Sequence, residues 1–227
     1  MNTKKIKVCY IWSQDDKVSS FCFKNMIQNN SHPVKYIVYS DSDLNILKEF
    51  DNVEVKKTKD SLAETYNDFF KQIADADYAA IVPFNAVLNK NWLLDLKLNY
   101  LNFTNSGCIS IKDSSFNLLL TSKLDVNDEL RTIYTLKNNL IENLYFFSTE
   151  KAKEVGFIDA DIDLKGLELI EWAFRFNIKG YENFYLKYSN CIFINSIDSF
   201  LLPEITTNAR ENFKKIINKK ITSNNKF

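Results

Sequence analysis

Apolar positions along this chain fall into short continuous runs, separated by stretches in which they recur every three or four residues. That alternation predicts strands joined by crossover helices and a sheet that is largely parallel. Lys5–Trp12 reads as a first strand and Lys17–Asn29 as a helix. Val34–Tyr39 reads as a second strand, after which Asp41 is positioned to cap a short helix running to Phe50. Val53–Lys57 is a short third strand. Asp60 or Ser61 then caps a helix whose apolar positions Leu62, Tyr66, Phe69, Phe70 and Ile73 share one face. Tyr78–Val82 is a buried strand that stops at Pro83, because proline has no N–H for a ladder. Asn89–Asn102 is helical.

The second half is less regular. Gly107–Ile111, Phe116–Thr121 and Leu144–Ser148 read as strands, and Asp125–Asn139 as a loop or short helix. Thr149–Val155 is a short helix closed by Gly156, a residue suited to a positive-φ cap. Leu167–Phe176 is an apolar-rich helix, and Tyr181–Tyr188 and Cys191–Ile194 are the last strands.

The chain has 227 residues, 45% hydrophobic, with Lys plus Arg equal to Asp plus Glu at 29 each. This size supports one α/β domain with a large core. The charge balance provides no global attraction to nucleic acid or an anionic membrane, so no nucleic-acid partner is expected. Cys9, Cys22, Cys108 and Cys191 are far apart and match no zinc or redox spacing, which suggests a reducing, cytoplasmic setting. The apolar run Val8–Trp12 is too short for a signal segment, and no run approaches the ~20 apolar residues of a membrane span.

Three stretches carry a resemblance: Tyr36-Ile-Val-Tyr-Ser-Asp-Ser-Asp43, Tyr78–Leu93, and Gly166-Leu-Glu-Leu-Ile-Glu-Trp-Ala-Phe-Arg175. In this order, from Ile6 to Ile194, the chain resembles a GT-A-type glycosyltransferase of the large inverting family that uses nucleoside-diphosphate sugars. The resemblance implies a mixed, mainly parallel Rossmann-like sheet flanked by helices. It also implies a nucleotide pocket at the carboxyl ends of the first, second and fourth strands. Asp41 and Asp43 then hold the nucleoside, with Ser13 after the first strand and Asn67 of Ala63-Glu-Thr-Tyr-Asn67 also on the nucleotide side. Asn85 lies by the diphosphate.

The chain departs from the family where the chemistry is done. The family's metal-binding Asp-x-Asp is Pro83-Phe84-Asn85 here, and proline offers a cation no side-chain oxygen. Asn195 takes the place of a late histidine ligand. Tight divalent-metal binding is therefore not expected, and no other cofactor is implied. In the third stretch, Glu168 falls on the family Glu, Leu169 on the catalytic Asp and Glu171 on the second Asp. Leucine accepts no proton, which leaves Glu168 as the candidate base. The competing reading is a surface Glu171–Arg175 pair with Glu168 solvated.

Other acidic clusters have plainer readings. Asp75-Ala-Asp77 precedes its strand and reads as a solvated turn. Asp159-Ala-Asp-Ile-Asp163 lacks the glycine and glutamate of a calcium loop and reads as an acceptor-side loop. His32 reads as a solvated loop residue. No glycine-rich phosphate loop, Gly-x-Ser-x-Gly elbow or Cys/His dyad occurs in the sequence.

Residues 206–227 pattern as a basic amphipathic helix following a GT-A-like domain over 1–205. Its apolar stripe is expected to pack on the domain, leaving little or no membrane association. The expected function is transfer of a sugar from a nucleoside diphosphate to a glycan, lipid or protein acceptor. The alternative is a non-catalytic protein that keeps the fold for binding or assembly.

Overall fold

The computed structural model describes residues 4–111, 144–162, 164, 166–186, 191–194, 211–213 and 215–216. The expected strand over Phe116–Thr121, the loop over Asp125–Asn139, and Asp163 and Asn195 lie outside the described residues.

The strands are β1 (Ile6–Ile11), β2 (Lys35–Tyr39), β3 (Val53–Lys56), β4 (Tyr78–Val82), β5 (Ala86–Leu88), β6 (Ser106–Ile111), β7 (Tyr145–Ser148), β8 (Glu182–Leu186) and β9 (Cys191–Phe193). The helices are α1 (Asp16–Gln28), α2 (Leu62–Gln72), α3 (Trp92–Asn102), α4 (Thr149–Val155) and α5 (Glu168–Ile178). The main sheet has the order β3-β2-β1-β4-β7-β6-β8, and β5 and β9 form a two-stranded sheet. β3, β2, β1 and β4 are mutually parallel, β7 runs against both β4 and β6, and β8 is parallel to β6. The chain winds outward from β1 through β2 to β3 and then returns to lay β4 on the other side of β1. The strand order therefore reverses between β1 and β4, the position where open α/β sheets bind ligands.

Each face of the sheet is covered by an aromatic-rich core. On one side Tyr10, Phe23, Tyr36, Trp92, Tyr100 and Phe146 pack with α1 and α3. On the other, Phe69, Phe70, Phe147, Trp172 and Phe176 pack with α2, α4 and α5. Trp172 stacks on Phe70 with ring centroids 4.6 Å apart and meets Phe147 edge-on at 4.8 Å. Such pairs add about 0.5–1.5 kcal/mol each beyond their buried area. The face carrying α5 admits no side chain at Gly107, where a Cβ would come within 2.5 Å of Asn183 Oδ1 and 2.8 Å of Phe176 Cβ.

Local chemistry explains most of the boundaries. Asp15 accepts from Val18 N and starts α1 slightly ahead of the expected Lys17. Ser61 accepts from Glu64 N and caps α2, which decides between the two residues proposed from sequence. Asp41 caps no helix. The segment after it forms a 3-10 turn over Asn45–Leu47, with no side-chain cap. α3 begins at Trp92 rather than Asn89, because Asn91 adopts a left-handed conformation at φ 62°. Asparagine tolerates that region better than most residues. β5 was not expected at all. It exists because Ala86–Leu88 pairs with Cys191–Phe193 from the far end of the chain.

One expectation about a surface group needs correction. His32 is half-buried, with Lys97 Nζ 3.1 Å from its Nε2, and burial and the Lys97 cation both lower its pKa. Phe213, from the C-terminal segment, is buried among Leu164, Leu167, Ile170 and Phe174, with Ile216 packed alongside. Phe213 and Ile216 thus pack against Ile170 and Phe174 of α5, in keeping with the packed reading, while Lys215 faces solvent. No helix among the described residues is long and apolar enough to cross a membrane. All four cysteines are buried free thiols.

Candidate functional site

The exits of β1, β2 and β4 lie side by side at the point where the strand order reverses. Trp12 N donates to Tyr39 O at 2.8 Å, which carries the β1–β2 pairing to the rim. Past it, Ser13 N donates to Ser19 Oγ at 3.0 Å, and the half-buried Ser13 hydroxyl accepts from Asp15 N at 3.3 Å. Ser40 N donates to Lys56 O, which leaves the next residue, Asp41, exposed at the mouth. Asp41 Oδ1 accepts a hydrogen bond from the Thr58 hydroxyl on the loop leaving β3. Asp43 is more peripheral, exposed and 4.0 Å from Lys48.

Thr58 and its neighbour Lys59 were not identified from sequence. Lys59 lies 3.8 Å from Asp68, which accepts a 2.8 Å hydrogen bond from Tyr39 OH. Burial and the Asp68 carboxylate together hold that phenol well above its usual pKa. The available clue was position alone, since Lys-Lys-Thr-Lys-Asp60 follows a parallel strand at its carboxyl end.

The turn leaving β4 is tied into the fold on every side. Pro83 O accepts from Ala86 N at 3.2 Å and Asn85 O from Ile194 N at 2.9 Å. Phe84 O accepts from Tyr10 OH at 2.6 Å, and that hydroxyl also lies 2.9 Å from Ser19 O. Asn85 Nδ2 donates to Ile194 O at 3.1 Å. Tyr10, invisible as a site residue in the sequence, therefore braces this turn from beneath. Among the described residues no group of three or more His, Cys, Asp or Glu side chains is arranged to hold a metal ion.

α5 starts at the same edge of the sheet. Glu168, in its first turn, is only 7% exposed, and its Oε2 accepts from Gly166 N at 2.7 Å. Leu169 packs on the core that also receives Tyr66 and Ile11. Burial, Cys9 and the Glu168 carboxylate push the Tyr66 phenol far above its normal pKa, which keeps it a neutral hydroxyl close to that carboxylate.

Glu171 is fully buried, and the expected surface pair is a buried one. Arg175 Nε lies 3.0 Å from both Glu171 oxygens, and Nη2 is 2.6 Å from Oε2. Arg175 Nη1 also donates to Phe157 O at 2.6 Å. Neither member of the competing surface reading is therefore solvated: Glu168 and Glu171 both lie beneath the surface.

Asn67, expected on the nucleotide side, is bonded to the loop that follows α4. Its Nδ2 donates to Ile158 O at 2.7 Å, and its Oδ1 accepts from Ile158 N at 2.8 Å. Trp172 Nε1 donates to Gly156 O at 2.8 Å. Side chains of α2 and α5 thus secure three consecutive residues, Gly156, Phe157 and Ile158, and Asn67 is part of that clamp. Asp159 caps its own turn by accepting from Asp161 N. Asp75 and Asp77 lie at the opposite end of β4, bonded to Lys7 Nζ and Lys5 N, in keeping with a structural turn.

No protein-family model and no curated protein sequence matches this chain. Its fold does match solved structures. A mannosyltransferase from Pyrobaculum calidifontis, in complex with GDP-Man and Mn2+, superposes with a TM-score of 0.69 at 12% identity, over 96% of this chain and 65% of the other. Residues 1–349 of S. aureus TarS, in complex with UDP-GlcNAc, match with a TM-score of 0.64 at 14% identity, over 96% of this chain and 66% of the other. GalNAc-T7 with UDP, GalNAc and Mn2+ gives 0.65 at 10% identity, over 96% and 48%. This chain thus spans about half to two thirds of the length of these proteins, and it has the GT-A glycosyltransferase fold.

Proposed function

We propose that this protein binds a nucleoside-diphosphate sugar across the exits of β1, β2 and β4 and transfers the sugar to a glycan, lipid or protein hydroxyl. The observation that carries the reading is the exposed Asp41 carboxylate, oriented by Thr58, beside the β1–β4 reversal point of a GT-A sheet. Support also comes from the similar structures, which hold GDP-Man, UDP-GlcNAc or UDP. Asp41 accepts hydrogen bonds from the nucleoside, with Ser13 beside it and Asp43 at the rim. Asn85 lies under the diphosphate.

In the transfer step Glu168 takes the proton of the acceptor hydroxyl as that oxygen attacks the anomeric carbon. The bond from that carbon to the diphosphate oxygen breaks, and the nucleoside diphosphate leaves with the electron pair. One direct displacement of this kind inverts the anomeric centre. Because Glu168 is largely buried, its carboxylate must turn outward from Gly166 N to meet an acceptor, and slow turnover is expected.

A second reading, a non-catalytic binding or assembly protein, is favoured by one specific observation. The residue in register with the family's base is Leu169, and its side chain packs into the core. Donor hydrolysis and transfer measured over a panel of nucleotide sugars separate the two readings. Turnover that collapses in Glu168→Gln, with nucleotide binding intact, supports the enzyme. Nucleotide binding with no turnover on any donor supports the binding protein.

A further inference from the structure

On the nucleotide-binding reading the turn at the exit of β4 lies beside the donor's diphosphate, and its carbonyls are each engaged within the fold. All three of its main-chain carbonyls accept hydrogen bonds from within the fold: Pro83 O from Ala86 N, Phe84 O from Tyr10 OH and Asn85 O from Ile194 N. Its one polar side chain is oriented by the bond from Asn85 Nδ2 to Ile194 O, and its Oδ1 is a neutral oxygen, so the turn offers a cation no carboxylate. A hard divalent cation takes several oxygen ligands and favours carboxylates. The GT-A fold implies such a cation at this turn, and these residues do not fit it. The nucleoside side differs, since Asp41 presents an exposed carboxylate and Ser13 a half-buried hydroxyl at the neighbouring exits.

We infer that ligand recognition here is carried by the nucleoside, that it needs no divalent cation, and that the second phosphate adds little to affinity. This rests on the nucleotide-binding reading above and specifies which part of the ligand is recognised. Without a bridging cation, the β-phosphate gains nothing from the Pro83–Asn85 turn that the α-phosphate lacks. The site should therefore take nucleoside monophosphates about as well as diphosphates.

The test is calorimetric titration of the full chain with UMP, UDP, GMP and GDP, each in EDTA and in Mn2+, together with Mn2+ alone followed by its electron paramagnetic resonance signal. For the nucleoside that binds, mono- and diphosphate affinities should agree within about threefold, well short of the tenfold step that corresponds to about 1.4 kcal/mol. EDTA should leave both unchanged, and Mn2+ alone should keep the signal of the free aqueous ion. Diphosphate binding strengthened tenfold or more by Mn2+, with monophosphate binding unaffected, would overturn the inference while leaving the nucleotide pocket intact. No binding of any of the four nucleotides in either condition would overturn the pocket, and the inference with it.

Discussion

Two stretches of the same sheet edge treat their polar groups in opposite ways. At the β2 exit, Asp41 is exposed, with Thr58 directing its carboxylate. At the start of α5, Glu168 is bonded to the backbone of its own turn, Glu171 is enclosed by Arg175, and Arg175, Trp172 and Asn67 hold the Gly156–Ile158 loop. Carboxylates of one chemical type are thus exposed to solvent in one place and enclosed by hydrogen-bond donors in the other. What separates them is burial and the donors supplied by neighbouring elements. If the contrast is sound, substitutions near α5 should change stability and leave nucleotide affinity alone, whereas substitutions near β2 should do the reverse.

The largest effect is expected at Arg175. Arg175→Ala removes the cation of a buried ion pair with Glu171 and releases Phe157 O, and removing one partner of a buried pair costs about 3–5 kcal/mol. Urea denaturation should report that loss, while nucleotide affinity in the folded fraction stays within error. A loss below about 1 kcal/mol, the range of exposed ion pairs, would show that the pair is solvated after all.

Asn67→Ala should come next. It removes two hydrogen bonds to Ile158 and leaves a half-buried N–H and C=O without their partner, a cost of about 1–3 kcal/mol. The comparison would break here if nucleotide affinity fell and stability did not, because Asn67 would then belong to the pocket.

Thr58→Val is the smallest change and lies on the other side of the contrast. It deletes the hydroxyl that orients Asp41 from an exposed loop, so stability should hardly move. Nucleotide binding should weaken by about 0.5–1.5 kcal/mol, the net worth of one hydrogen bond. Unchanged affinity would mean that Asp41 needs no such orientation.

The division between what could and could not be read from sequence follows the range of the interactions. β1, β2 and β4 show themselves as continuous apolar runs because both of their faces are buried, and the Ser61–Glu64 spacing marks the start of α2 through a local bond. β5 is three residues long, and its partner β9 lies about a hundred residues away, so no local pattern announces it. The Asn67–Ile158 clamp spans 91 residues and was hidden in the same way, with Asn67 legible only as a polar residue on a helix. On α5 the i, i+4 pair of Glu171 and Arg175 was legible, but its burial was not. That burial comes from tertiary packing around the helix, which the local pattern does not encode. At the mouth, the positions of Asp41 and Asn85 followed from strand ends, whereas the bracing of the β4 turn by Tyr10 depends on how β1 and β4 meet.

The central claim is that the β1, β2 and β4 exits form a nucleotide pocket in which Asp41 is a principal contact. The most direct measurement is calorimetric titration of the wild-type protein and Asp41→Ala with nucleoside diphosphates, with urea denaturation of both. The account predicts binding by the wild type and at least tenfold weaker binding by the variant, as expected for loss of a charged hydrogen bond worth about 1.5–3 kcal/mol, at unchanged stability. Equal affinity in the two proteins, or no heat with any common nucleoside diphosphate, would contradict it.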